Sequence, residues 1–176
     1  MKTLIVIPAR MASRRFPNKP MAMIKGKPMI QRVWEQAVSS AIGDVIVACS
    51  EKEVQDLITS LDGKAELTDP DLPSGTDRVY AAIQQHSNIN QYDSIINLQG
   101  DMPNLDPDNI KNLDYLMRKY KYDIGTLASR VQNAEELQNR NIVKVETFEK
   151  LDYSNFLKTK DFFRKTINTN KENIYH

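Results

Sequence analysis

Leu4-Ile5-Val6-Ile7, followed at once by Pro8-Ala9-Arg10-Met11-Ala12-Ser13-Arg14-Arg15-Phe16-Pro17-Asn18-Lys19-Pro20, decides how the rest of this chain reads. The first four residues are an unbroken apolar run, the habit of a strand covered on both faces in a parallel sheet. The loop that follows brings Arg10, Arg14, Arg15 and Lys19 within ten residues, in a 176-residue chain whose net charge is only +1. A local positive pocket on a near-neutral protein suits a small polyanion better than a nucleic-acid backbone, which draws on a broad basic surface. At the C-terminal end of a first strand, such a loop is a candidate triphosphate cradle.

Similar runs recur along the chain. Strands are expected at Thr3–Ile7, Asp44–Cys49, Ala65–Thr68, Ser94–Leu98, Ile124–Ser129 and Ile142–Thr147. Between them apolar residues fall at helical spacing: Met29, Ile30, Val33, Trp34, Ala37 and Val38 in Pro28–Ala41; Val54, Leu57, Ile58 and Leu61 in Glu51–Leu61; Val79, Ala82, Ile83 and His86 in Thr76–His86; Ile110, Leu113, Met117 and Tyr120 in Pro107–Tyr120. The alternation predicts an α/β fold, a mostly parallel sheet flanked by helices. Residues 1–147 form the expected nucleotide-binding domain. Residues 148–176, rich in Lys, Asn, Thr and Asp, form a weaker C-terminal segment with a short helix expected near Lys160–Lys165.

The composition, 40% hydrophobic and 27% charged, suffices for a real core without disulfides or metals. Cys49 is the single cysteine, and Met1-Lys2-Thr3 opens no signal peptide, so a reducing, cytoplasmic setting is expected. No apolar run approaches the ~20 residues of a membrane span. His86, His176 and Cys49 are too few for a structural zinc site.

Two more polar motifs accompany the cationic loop. Gln99-Gly100-Asp101 follows the strand at Ser94–Leu98. In isolation a Gly-Asp pair is an ordinary turn. Beyond a strand end, Gly100 would allow a close backbone approach, and Asp101 would offer Mg²⁺ a hard oxygen. Ser74-Gly75-Thr76-Asp77-Arg78 opens a helix. There Ser74 or Thr76 is an N-cap, and the same helix end, with Arg78, is also able to grip a nucleotide. The cationic loop is neither Gly-x-x-x-x-Gly-Lys nor Gly-x-Gly-x-x-Gly, so side chains would supply most of its donors. His86 on an apolar helix face reads as a core histidine, Cys49 as inert core, and Lys119–Lys121 as a solvated helix end.

Taken in order, Ile7-Pro8-Ala9-Arg10-x-x-Ser13-x-Arg15-x-Pro17-x-Lys19-Pro20, Gly26-Lys27-Pro28-Met29-Ile30, Ser74-Gly75-Thr76-Asp77-Arg78, Asn97-Leu98-Gln99-Gly100-Asp101 and Asn141-Ile142-Val143-Lys144-Val145 closely resemble the 3-deoxy-manno-octulosonate cytidylyltransferases, the bacterial CMP-Kdo synthetase family. The resemblance implies a nucleotide-diphospho-sugar transferase type of fold and a reaction of CTP with 3-deoxy-D-manno-octulosonate (Kdo). The products would be CMP-Kdo, for lipopolysaccharide synthesis, and pyrophosphate, with Mg²⁺ as cofactor and a homodimer as the family's assembly. By motif, Arg10, Arg15 and Lys19 would hold the triphosphate and, with Asp101, serve catalysis. Pro8, Ala9, Ser13, Ser74, Arg78 and Gln99 would line the nucleotide pocket. Asp101 would bind the metal, and His176 would contact the sugar.

This chain departs from the family pattern at several points. Phe16 stands where Leu is usual, Ser50-Glu51 where Thr-Asp is usual, and Met102-Pro103 where Glu-Pro is usual. Relatives continue beyond the position of His176, which matches the first residue of a His-x-Gly-Ile-Tyr strand. A fragment or shortened gene product is therefore expected, with weak or absent turnover. A nucleotide-binding remnant without transferase activity, or a cytidylyltransferase for another acidic sugar, are the competing readings.

Overall fold

The computed structural model describes residues 2–12, 16–150, 156–164 and 173–176. Its elements follow the sequence in order. Strand β1 (Thr3–Ala9) leads to a 3-10 turn at Lys19–Met21 and a short hairpin, β2 (Met23–Ile24) and β3 (Lys27–Pro28). Then come α1 (Met29–Ser39), β4 (Gly43–Cys49), α2 (Lys52–Ser60), β5 (Lys64–Leu67), α3 (Gly75–Gln85), β6 (Ser94–Asn97) and α4 (Pro107–Tyr120). The remainder holds α5 (Ala134–Gln138), β7 (Lys144–Thr147), β8 (Thr159–Phe163) and β9 (Ile174–Tyr175). The chain divides into two compact units, 1–115 and 116–176.

The first unit is built on a parallel sheet of order β5-β4-β1-β6. β1 is central because both its edges are paired: Thr3 lies opposite Gly43 on one side and Ser94 on the other. Its side chains alternate between two apolar layers, as the two-residue period of a strand requires. Ile5, Ile7 and Ala9 pack with Ile30, Val33 and Ala37 of α1, Val54 and Ile58 of α2, and Ile110 of α4. Leu4 and Val6 pack with Ile46, Ala48 and, from α3, Val79 and Ala82. Leu4, Ile5, Val6 and Ile7 are fully buried, each contributing about 2 kcal/mol. Gly43 is needed at the start of β4, since a Cβ there would meet the Thr3 carbonyl oxygen at 2.0 Å.

Helix ends follow local chemistry. Helix α1 stops where the Ser40 hydroxyl donates to the Ala37 carbonyl at 2.6 Å and Ala41 turns into the left-handed region. Ser74, not Thr76, caps α3: its Oγ accepts from the Asp77 amide at 3.1 Å and donates to the Asp77 carboxylate at 2.6 Å.

The second unit corrects several expectations. Ile124–Ser129 is no strand; at its end the Ser129 and His176 backbones exchange hydrogen bonds at 2.7 and 3.0 Å. β7, expected in the parallel series as Ile142–Thr147, pairs antiparallel with β8 and β9. The helix expected near Lys160–Lys165 is replaced by β8, which finds its partner in β7. β7, β8 and β9 all lie in the second compact unit. Among the described residues no helix is long and apolar enough to cross a membrane.

Candidate functional site

Strand order reverses at β1: the chain adds β4 and β5 on one side, then returns to place β6 on the other. A crevice opens outside the C-terminal ends of strands at such a reversal. Here it is a cleft of about 310 Å³ lined by Pro8, Ala9, Arg10, Lys19, Pro20, Gly75, Arg78, Gln99, Gly100 and Asp101. The three motifs distant in sequence thus share one volume.

The loop after β6 comes close because of Gly100. A Cβ there would lie 2.5 Å from the Pro8 carbonyl oxygen, so only glycine lets Gln99–Asp101 close against the end of β1. Leu98 continues the pairing, its amide donating to the Val6 carbonyl at 3.0 Å. Across the cleft mouth the Lys19 ammonium meets the Asp101 carboxylate at 2.6 Å. Half of the Asp101 side chain is exposed, against a third of Lys19. Both are accessible to an incoming ligand.

Arg78 differs from the other cations. It is 1% exposed, and its guanidinium donates to Thr68 Oγ1 and, at 3.4 Å, to the Pro70 carbonyl. Burial pulls it below the usual arginine range, the Glu51 carboxylate pushes the other way, and Arg10 adds repulsion. Arg78 therefore ties the 68–70 loop to α3 while facing the cleft. Gln99 is exposed, and its amide donates to Asn97 Oδ1 at 2.9 Å.

The expected site residues sort as follows. Pro8, Ala9, Arg10, Lys19, Arg78, Gln99 and Asp101 line the cleft. Ser74 is not among the lining residues; its hydroxyl caps α3, and its neighbour Gly75 lies in the wall. Ser13 and Arg15 lie outside the described residues. His176 belongs to the second unit, where Nε2 lies 2.9 Å from Ser129 Oγ and 3.6 Å from Glu136 Oε2. Pro20, Gly75 and Gly100 were not expected as lining residues. Each stands inside one of the three motifs, beside a residue expected in the site.

Two other readings gain a physical basis. Cys49 is fully buried at the end of β4, and burial pushes its thiol up to about 11. His86 is largely covered, with Nδ1 3.6 Å from Glu66 and its ring 5.8 Å from that of Tyr92.

The model of a family described as Cytidylyltransferase matches residues 4–174. The chain belongs to the cytidylyltransferase family. A 3-deoxy-manno-octulosonate cytidylyltransferase from Paramagnetospirillum magneticum is 45% identical over 141 residues, which is 80% of this chain and 57% of that protein. The enzyme of the same description from Parvibaculum lavamentivorans is 47% identical over 141 residues, 80% of this chain and 55% of that one. This family member therefore spans just over half the length of those relatives. A solved structure of CMP:2-keto-3-deoxy-manno-octonic acid synthetase complexed with CTP superposes with a TM-score of 0.83 at 33% identity, covering 100% of this chain and 71% of its own. A cytidylyltransferase structure from Leptospira borgpetersenii, at 22% identity and a TM-score of 0.57 over 76% of this chain and 56% of its own, shares the fold.

Proposed function

We propose that the chain binds CTP in the cleft and takes part in transferring its CMP unit to the anomeric hydroxyl of Kdo, with release of pyrophosphate. The observation that carries this reading is the convergence of Arg10, Lys19, Arg78 and Asp101 on one crevice at the strand reversal. Membership of the cytidylyltransferases and relatives named for Kdo supply the substrates.

The chemistry asks little covalent work of the protein. The anomeric oxygen attacks the α-phosphorus, the bond to the β-phosphate breaks, and negative charge grows on pyrophosphate. The protein must orient the two reactants and neutralise that charge. Arg10, exposed at the end of β1, suits a bidentate contact to phosphate oxygens, and Lys19 a point contact. On binding, Lys19 exchanges the Asp101 carboxylate for phosphate. Pro8, Ala9, Arg78 and Gln99 form the wall against which the nucleoside rests. Gln99 can trade its bond to Asn97 for one to a base edge.

Asp101 is a hard oxygen donor at the mouth of the cleft, and Mg²⁺ is commonly held by one or two carboxylates together with substrate phosphates. The residues present fit that mode, with Asp101 as the protein ligand. Among the described residues no cluster of three His, Cys, Asp or Glu forms a cage, so the nucleotide would complete the coordination. When bound, the ion supplies charge neutralisation on the phosphates. In this reading the chain works in the cytoplasm, where CTP is consumed, its product enters lipopolysaccharide synthesis, and the homodimer is the assembly expected of the family.

Calorimetry with CTP and ATP in the presence of Mg²⁺, followed by a pyrophosphate-release assay with and without Kdo, tests the reading. Binding of CTP in preference to ATP and release dependent on Kdo are the expected results. Failure to bind CTP at any magnesium concentration overturns it. Release with a sialic acid but not Kdo reassigns the sugar.

A further inference from the structure

Arg10 and Lys19 flank a neck formed by Met11 and Asn18. The Asn18 amide donates to the Met11 carbonyl at 3.0 Å. Asn18 makes this possible with φ at 56°, a left-handed conformation that asparagine tolerates better than most residues. The amide of Met11 in turn donates to Glu51 Oε2 at 3.1 Å. Glu51 sits on the connection from β4 to α2, next to β1 at its C-terminal end. Both backbone groups of Met11 are therefore occupied, one by the far side of its own loop and one by a carboxylate from the neighbouring strand connection.

We infer that Glu51 is a positioning residue that pins the neck at Met11 and so sets the spacing of Arg10 and Lys19 across the cleft. The inference rests on reading the cleft as a nucleotide site. Glu51 is not among the residues that line the cleft, so it acts through its neighbours and not on the ligand. An amide would keep the acceptor for Met11 and lose the charge; a methyl group would lose both.

Two readouts on Glu51→Ala and Glu51→Gln test this. In the ligand-free protein, hydrogen exchange at the Met11 amide should accelerate about tenfold in Glu51→Ala, the loss of one charge-assisted hydrogen bond. Exchange at Val6 in the core should stay at the parent value, and Glu51→Gln should hold Met11 near the parent rate. Calorimetry with Mg²⁺ and CTP should give about tenfold weaker binding for Glu51→Ala and near-parent affinity for Glu51→Gln. Unchanged Met11 exchange in Glu51→Ala overturns the inference. Equal weakening of CTP binding by both variants also overturns it, since charge and not the tether would then be responsible. If the unsubstituted chain binds no CTP, the nucleotide reading falls, and the exchange experiment alone decides whether Glu51 holds the neck.

Discussion

The two ends of the parallel sheet both carry charges and use them in opposite ways. At the N-terminal end of the strands, the Lys2 ammonium meets Asp44 at 2.8 Å and the Gln91 side chain at 3.1 Å, and it lies 4.9 Å from the centre of the Tyr92 ring. The Tyr92 hydroxyl donates to the same Asp44 carboxylate at 2.6 Å, and the Lys2 amide donates to Asp93 at 2.6 Å. Charge and counter-charge cancel in place. At the C-terminal end, Arg10, Lys19 and Arg78 surround a volume, with Asp101 at its mouth and Glu51 behind it. Groups that satisfy one another hold the fold together. Groups gathered around a space against their mutual repulsion are arranged for something that enters it.

The comparison breaks first at Arg78, which does both jobs. Arg78→Ala should lower unfolding free energy by about 3 kcal/mol, through lost packing and a Thr68–Pro70 loop without its tie, and should weaken CTP binding as well. Denaturant unfolding beside calorimetry reads both. If stability is unchanged, Arg78 belongs with the ligand-facing cations alone.

Lys19→Ala should separate the two functions. Its pair with Asp101 is partly exposed, so stability should change by less than about 1 kcal/mol, while CTP affinity should fall by about tenfold or more, the loss of one charged phosphate contact. Asp101→Ala alone should disturb the magnesium dependence of binding. Unaltered affinity in Lys19→Ala would remove the ammonium from the triphosphate site.

The smallest effect is expected at the opposite end of the sheet. Tyr92→Phe should cost about 1 kcal/mol of stability, one hydrogen bond, and leave CTP binding unaltered. Hydrogen bonds from Lys2 and then Tyr92 hold the Asp44 carboxyl below its ordinary value of 3.8. The folded state therefore binds this proton less readily than the unfolded chain. The stability Asp44 contributes is complete above that ordinary value and fades as pH falls through the lower folded value. Asp44→Asn should flatten that acid limb in a pH series of denaturation curves. An acid limb identical to the parent's would show that this network is not coupled to folding.

The sequence was informative wherever a segment's structure follows from its own residues. Continuous apolar runs marked β1 and β4, because a strand buried on both faces has no polar side to show; β6 was marked by the same pattern although, at the sheet edge, it leaves Ile95 exposed. The spacing of Ile110, Leu113, Met117 and Tyr120 marked α4 with its observed ends. The cleft was legible because the motifs fall at strand ends, where the topology must gather them. What escaped depends on partners. Ile124–Ser129 has strand-like composition but finds no ladder, whereas the polar Thr159–Phe163 becomes a strand because β7 accepts it. Ser74 illustrates the same limit at a single residue: the motif offered Ser74 and Thr76 alike as the cap of α3, and only the geometry of Asp77 separated them.

The central place of β1 has a consequence for how the chain is made. This strand is synthesised before β4, β5 and β6, and the edge that will receive β6 has no partner until Ser94–Asn97 is made. At elongation speeds of about 5–20 residues per second, that delay is on the order of ten seconds. For that interval the most apolar stretch of the nascent polypeptide presents an open hydrogen-bonding edge. Its safe passage depends on chaperone cover or on transient pairing with β4 until the last neighbour arrives.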